Sequence, residues 1–128
     1  MDDMYRDILL DAYKNPRHRG ELEPADASFE DENPLCGDVL RIDLRLKDGI
    51  IEDAKFMGHG CAISQASADL LLERVKGRSL ESVQELTRED VFDELGVESL
   101  TVSRVKCAML SLKVLKAAAY GLKPAMKA

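Results

Sequence analysis

Residues 36–61 read CGDVLRIDLRLKDGIIEDAKFMGHGC, and this stretch decides the layout of the chain. It alternates like a strand, turns at Lys47-Asp48-Gly49, and alternates back. Both arms span an equal twelve steps, from Cys36 to Asp48 and from Gly49 to Cys61. A hairpin folded at that turn therefore brings Cys36 and Cys61 together at its open end. Apolar residues occupy even positions on both arms: Leu40, Ile42, Leu44 and Leu46 going out, then Ile50, Ala54 and Phe56 returning. Directly opposed residues share a face, so paired numbers must add to an even total. A two-residue Asp48-Gly49 turn breaks that parity. A three-residue loop, Lys47-Asp48-Gly49 with Gly49 left-handed, satisfies it. The pattern then predicts Leu46 opposite Ile50, Ile42 opposite Ala54 and Leu40 opposite Phe56, with Leu44 against Glu52 as a blemish. It places Asp38 opposite Gly58 and Cys36 opposite Gly60, both on the inward face. Gly37, Gly58 and Gly60 leave the backbone bare there, as close approach to a bound group requires.

The chain has 128 residues, enough for one domain with one core, and a single domain over residues 1–128 is expected. Its 45% apolar and 33% charged content is ordinary for a soluble globular protein. A net charge of −6 argues against non-specific nucleic-acid binding, which needs a basic footprint. No apolar run reaches the ~20 residues of a membrane span. Met1-Asp2-Asp3 is acidic, unlike a secretory or transit leader, and the expected compartment is the cytoplasm.

Three cysteines in a reducing compartment do not suggest a disulfide framework. Unpaired cysteine is among the most buried residue types, so three core thiols are the plain alternative. Gly and Asp beside Cys36, and Gly and a helix start beside Cys61, are poor core neighbourhoods.

Around the hairpin, helical spacing of Met4, Tyr5, Ile8, Leu9, Ala12 and Tyr13 predicts an amphipathic helix over residues 3–14. Arg17-His18-Arg19-Gly20 follows as a basic loop, either a solvated turn or a partner-docking segment; His18 is not expected to bind metal. A short edge strand is expected over residues 27–30. After Cys61 a second helix runs over residues 62–76, its apolar stripe being Ile63, Ala66, Leu70, Leu71 and Val75 and its stop Gly77. A short helix is expected over residues 80–86. Another begins at Thr87, where Thr87 and Asp90 resemble a capping pair, and ends near Gly96. The last helix covers residues 100–119, with Val105, Ala108, Met109, Leu112, Leu115 and Ala119 toward the core. The tail beyond Tyr120 is expected to fray.

Cys61 at a helix start lies where unpaired N–H groups and the positive dipole end favour a thiolate. Cys107 is flanked by Arg104 and Lys106, which act in the same direction. With Cys36 and Asp38 they make three sulfurs and one oxygen, enough for a tetrahedral site. Such a set suits zinc, iron or an iron–sulfur unit. His59 is either a fifth ligand or points away. Three converging thiols and a carboxylate suit transient holding of a metal–sulfur species, or nucleophilic sulfur transfer with a metal taming the thiol. A closed structural zinc is the bland alternative.

At these residues the chain resembles the IscU/SufU/NifU-N-terminal family of iron–sulfur cluster assembly proteins. The resemblance runs through ILLDAYKNPRHRG (residues 8–20), NPLCGDV (33–39), DGIIEDAKFMGHGCA (48–62), ISQASADLLL (63–72) and RVKCAML (104–110). It implies an α+β fold of SufE/IscU type, a small antiparallel sheet of about three strands covered by helices. It implies Cys36, Asp38, Cys61 and Cys107 as ligands of zinc or a 2Fe–2S cluster, with Cys61 and Cys107 as candidate sulfur acceptors. It further implies a cysteine desulfurase as sulfur donor and iron–sulfur apo-proteins downstream. Within the family, Lys106 stands where IscU-type scaffolds carry a histidine, and their Pro-Pro-Val-Lys motif is missing. Arg104-x-Lys106-Cys107 and Gly-His-Gly-Cys look like SufU, the zinc-dependent sulfur acceptor. Yet the 45 residues between Cys61 and Cys107 match the IscU length. Asp38 is read as a tuning ligand: an oxygen among sulfurs holds a soft ion more weakly and keeps the site labile. The alternative is that Asp38 only accepts backbone N–H bonds at the strand start.

Overall fold

The computed structural model describes residues 2–33, 37–95 and 102–120, with side chains over 7–32, 37–95 and 105–119. Cys36, Gly96 and the tail beyond Tyr120 lie outside the described residues, as do the expectations placed on them. The element order is α1 (Asp2–Lys14), β1 (Ala27–Asn33), β2 (Asp38–Lys47), β3 (Ile50–His59), α2 (Ala62–Val75), α3 (Leu80–Gln84), α4 (Arg88–Leu95) and α5 (Val102–Tyr120). The strands form one antiparallel sheet in the order β1-β2-β3. This is the α+β architecture expected, and the edge strand reaches Asn33 rather than stopping at residue 30.

The hairpin register differs from the one expected. Asp48 (φ 54°) and Gly49 (φ 79°) are both left-handed, which makes a two-residue turn with Lys47 facing Ile50. Such turns match the right-handed twist of the strands they join, so the Asp-Gly pair prevails over a longer loop. The parity problem is solved by a β-bulge instead. Arg45 faces Asp53 and Leu46 faces Ile51, so Glu52 is an extra residue on β3. Beyond the bulge Leu44 faces Ala54, Ile42 faces Phe56 and Leu40 faces Gly58, each two residues along β3 from the pairing expected. The blemish of Leu44 against Glu52 disappears with it. The bulge also exchanges two neighbours: Ile51 is fully buried and Ile50 is 39% exposed, the reverse of the expectation for Ile50.

The even face of the sheet is covered by α2, lying on β3, and α5, lying on β1 and β2. Leu40, Ile42, Leu44, Ala54 and Phe56 from the sheet meet Ala66, Leu71, Leu72 and Val75 of α2 and Ala108, Leu115 and Ala118 of α5 in one core. Burial of such side chains contributes about 1.5–3 kcal/mol each, and this sets the position of both helices. α1, α4 and α5 also pack on α2. Its first half is therefore enclosed well beyond the apolar stripe, and Ser64, Gln65, Ser67 and Asp69 are buried.

The backbone of the basic loop and His18 are tied down, while the Arg17 and Arg19 side chains are exposed. Phe56 N–H donates to the His18 carbonyl and Gly20 N–H to the Phe56 carbonyl, both at 2.8 Å, so the loop straps the edge of β3. Asp69 Oδ1 accepts the backbone N–H groups of Arg17 and His18, each at 2.8 Å. The His18 ring is 4% exposed and its Nε2 meets Glu73 Oε1 at 2.7 Å. That contact holds the Glu73 carboxyl below the usual carboxylate range, its largest cause being the hydrogen bond from His18. Next to Glu73 on α2, Arg74 clamps α4 through Asp90 Oδ1 (2.9 Å) and Glu94 Oε2 (3.1 Å). Thr87 and Asp90 form the capping pair expected: Thr87 N–H donates to Asp90 Oδ2 at 2.8 Å, and Asp90 N–H returns to Thr87 Oγ1 at 3.3 Å.

Candidate metal centre

Asp38 opens β2, Cys61 caps the N-terminus of α2, and Cys107 lies in the second turn of α5. One oxygen of Asp38 and the sulfurs of Cys61 and Cys107 all lie within 4.8 Å of one another. Among the described residues this is the only such group of metal-ligating side chains. Three sequence-distant elements thus deliver three of the four donors expected. Cys36, the fourth, lies outside the described residues.

The arrangement follows from the hairpin. Even-face parity turns Asp38 inward beneath the helices, where it is 1% exposed. The register shift carries it past Gly58, against Gly60. A Cβ on Gly60 would stand 2.1 Å from Asp38 Oδ1, and a Cβ on Gly58 would stand 2.1 Å from the Val39 carbonyl. Both glycines have positive φ, 143° and 155°, and together they let the chain turn closely over the carboxylate into α2. Cys61 then sits at φ −73°, ψ 161°, and its side chain makes no capping bond. Instead its N–H donates to Asp38 Oδ1 at 2.9 Å and its thiol reaches Asp38 Oδ2 at 3.3 Å. A carboxylate at the positive end of α2 is favoured by the helix dipole as well. Asp38 therefore accepts a backbone N–H, that of Cys61, and also stands among the sulfurs.

Cys107 is 8% exposed, beside core residue Ala108, while Cys61 is half-buried and the more accessible of the two. Lys106 is exposed. The Arg104 side chain lies outside the described residues. His59 faces Val39 across the hairpin, on the odd face, and is exposed. It does not join the Asp38, Cys61 and Cys107 group.

Zinc–sulfur bonds of about 2.3 Å in a tetrahedron put ligand atoms roughly 3.5–3.8 Å apart. The observed spacing meets that with small side-chain adjustments, and two sulfurs with one carboxylate oxygen are a suitable donor set for zinc or iron. Two neighbours of the site escape a reading based on apolar periodicity: Ser64 and Gln65, buried polar residues in the first turn of α2. The one signal available was their position directly after a cysteine at a helix start.

Residues 4–127 match the family described as the NifU-like N terminal domain. The zinc-dependent sulfurtransferase SufU of Bacillus subtilis is 37% identical over a gapped alignment of 132 positions that covers 91% of this chain and 89% of that protein. The iron–sulfur cluster assembly scaffold protein IscU of Thermotoga maritima is 38% identical over a gapped alignment of 130 positions that covers 90% of this chain and 92% of its own. Among solved structures, one described as an iron–sulfur cluster assembly scaffold for the SUF system, from Fervidobacterium islandicum AW-1, superposes with a TM-score of 0.79 at 27% identity. It covers 91% of this chain and 97% of that one. The NifU-like N-terminal protein of Brucella abortus has the same fold, with a TM-score of 0.80 at 19% identity over 95% of this chain and 96% of its own.

Proposed function

Because the chain belongs to the NifU-like N terminal domain family, we propose that it is an iron–sulfur cluster assembly protein that receives sulfur from a cysteine desulfurase and binds metal or cluster through Cys36, Asp38, Cys61 and Cys107. The observation that carries this reading is the meeting of Asp38, Cys61 and Cys107 from three separate elements. Cys36, two residues before Asp38, supplies the third sulfur. Bound zinc would favour the thiolate form of the cysteines and offset the negative charge of the set.

The residues divide the work by exposure. Of the two described cysteines, Cys61, half-buried at a helix start, is the one an incoming persulfide meets first. Its thiolate attacks the outer sulfur of the desulfurase persulfide. A new S–S bond forms as the old one breaks, and the desulfurase cysteine leaves as a thiolate. Cys107, buried beside it, is the second acceptor once Cys61 has reacted. Asp38 orients Cys61 through its N–H. The chemistry needs reduced thiols, which the cytoplasm maintains.

Two modes of use are distinguished by experiment. The exposed Lys106, no ligand while protonated, favours a zinc-dependent sulfur acceptor; the 45 residues between Cys61 and Cys107 favour a scaffold that builds a 2Fe–2S cluster as cargo for apo-proteins. Desulfurase turnover measured with zinc-loaded, metal-free and iron-reconstituted protein separates them. Stimulation confined to the zinc-loaded form identifies the acceptor. A stable visible chromophore after anaerobic reconstitution, transferable to an apo-ferredoxin, identifies the scaffold. If no form changes turnover and none takes up a cluster, the site is a structural staple and the reading fails.

Asp38→Asn tests the tuning role without disturbing the turn, since an amide oxygen can still accept the Cys61 N–H. The expected result is release of bound zinc or cluster slowed by about 10-fold, the scale of changes close to a metal, with slower sulfur or cluster transfer. Asp38→Ala should show the same effect on a less stable protein, lower by about 1–3 kcal/mol, because the Cys61 N–H loses its acceptor. Faster release from Asp38→Asn would show that the carboxylate holds the site together.

A further inference from the structure

The metal set does not use Ser64 or Gln65, yet both are buried in the first turn of α2. Ser64 Oγ donates to the Cys61 carbonyl at 3.1 Å, and Gln65 Nε2 donates to Ser64 Oγ at 3.4 Å. Gln65 Oε1 in turn accepts from Arg19 Nη1 at 3.1 Å. The other arm of the same guanidinium, Nη2, donates to the Gly58 carbonyl at 3.0 Å. These contacts close a ring. It runs from the Gly58 carbonyl through Arg19, Gln65 and Ser64 to the Cys61 carbonyl, and returns along the backbone through Gly60 and His59. Inside it lies the glycine turn that presents Cys61 and packs on Asp38.

Such a turn needs an external brace. Two of its four residues are glycines at positive φ, so the backbone has little conformational preference of its own. Arg19 is well anchored for the task. Gly20 next to it is bonded to Phe56, and the guanidinium lies 5.8 Å from the centroid of the Phe56 ring. A planar fork can donate to acceptors on two elements at once, which a lysine ammonium on a flexible stem does not reproduce.

We propose that Arg19 is a positioning residue for Cys61, bracing the 58–61 turn through Gly58 and Gln65 so that the Cys61 sulfur keeps its place beside Asp38 and Cys107. The proposal rests on the metal-binding reading for its consequence, while the brace itself can be measured in metal-free protein. Arg19→Lys keeps the charge and loses the fork; Ser64→Ala opens the ring at its far end. Three measurements are made on the full chain: the visible d–d spectrum with cobalt(II) in place of zinc, zinc release to a chromophoric chelator, and amide hydrogen exchange without metal. Arg19→Lys is expected to alter the cobalt spectrum, speed zinc release by about 10-fold, and raise exchange selectively over residues 58–65. Ser64→Ala should act in the same direction, and the double variant should be less than additive because both break one ring. Arg74→Lys, which loosens the remote clamp on α4, serves as the control and should leave the cobalt spectrum unchanged.

A wild-type cobalt spectrum and zinc release rate in Arg19→Lys overturn the proposal. So does an Arg74→Lys spectrum that changes in the same way, since the effect would then be general loosening. If the unaltered protein binds neither cobalt nor zinc, it is the proposed function that fails. The exchange experiment then decides the brace alone: selective loss of protection over 58–65 supports it, and unchanged protection overturns it.

Discussion

Alanine at Cys61 or at Cys107 is expected to lower zinc affinity by more than about 100-fold, because even the outer-shell partners of metal ligands are worth 10–100-fold. Each substitution removes one donor from a group whose atoms lie within 4.8 Å of one another. The fold should survive both. Cys61 is half-buried, and the cavity left by one sulfur at Cys107 costs about 1 kcal/mol, less than the deletion of a larger aliphatic side chain. Cys36→Ala should match them in affinity, as the third sulfur of the proposed set. Competition against a chromophoric chelator gives the affinities and circular dichroism reports folding. Full tight zinc in all three folded variants would remove the proposed site.

Gly60→Ala should damage both the site and the fold. The added Cβ would meet Asp38 Oδ1 at 2.1 Å and Asp38 Cγ at 2.5 Å, and Asp38 is held by its bond from the Cys61 N–H. Backbone at φ 143° is itself unfavourable for an L side chain, at a cost of order 1–3 kcal/mol. Relief requires the carboxylate to swing away and release Cys61. The expected loss is about 2–4 kcal/mol of stability together with most of the zinc affinity. Gly49→Ala makes the comparison: its φ is also positive, at 79°, but nothing lies within 4 Å of the added carbon. It should cost stability while leaving metal binding intact. A Gly60→Ala protein that binds zinc like the wild type would refute the close packing of the turn on Asp38.

Much of this arrangement was legible in the sequence because it depends on local chemistry. Alternation and an Asp-Gly pair marked the hairpin, and the helices after Cys61 and around Cys107 followed from spacing and stop residues. Parity correctly put Asp38 on the buried face. The register was not legible, since a bulge at Glu52 is a single extra residue with no composition of its own; the bulge, not a longer loop, reconciles the two-residue turn with parity. The strap at His18 was hidden for another reason. Its acceptor, Asp69, is 51 residues away, and nothing near Arg17-His18-Arg19 announces it. The burial of Gln65 is not legible because a one-stripe reading of α2 assumes one solvated face, whereas helices and sheet enclose it on several sides. Residue types alone nominated the donors; helix packing brings Cys107 to the other two.

On the proposed function, the spread of those donors along the chain would tie metal loading to synthesis and quality control. The Cys61–Asp38 contact closes a loop of 23 residues, and Cys107 belongs to the last of the described helices. A ribosome-bound chain that has not yet released α5 offers no complete pocket, so premature capture of an ion by a half-made protein is disfavoured. Once α5 has docked, every ion bound adds to the free energy of unfolding in proportion to the logarithm of its concentration. Scarcity of the ion would then register as a larger population of open chains, and proteases that sample such openings would clear the unloaded protein faster than the loaded one.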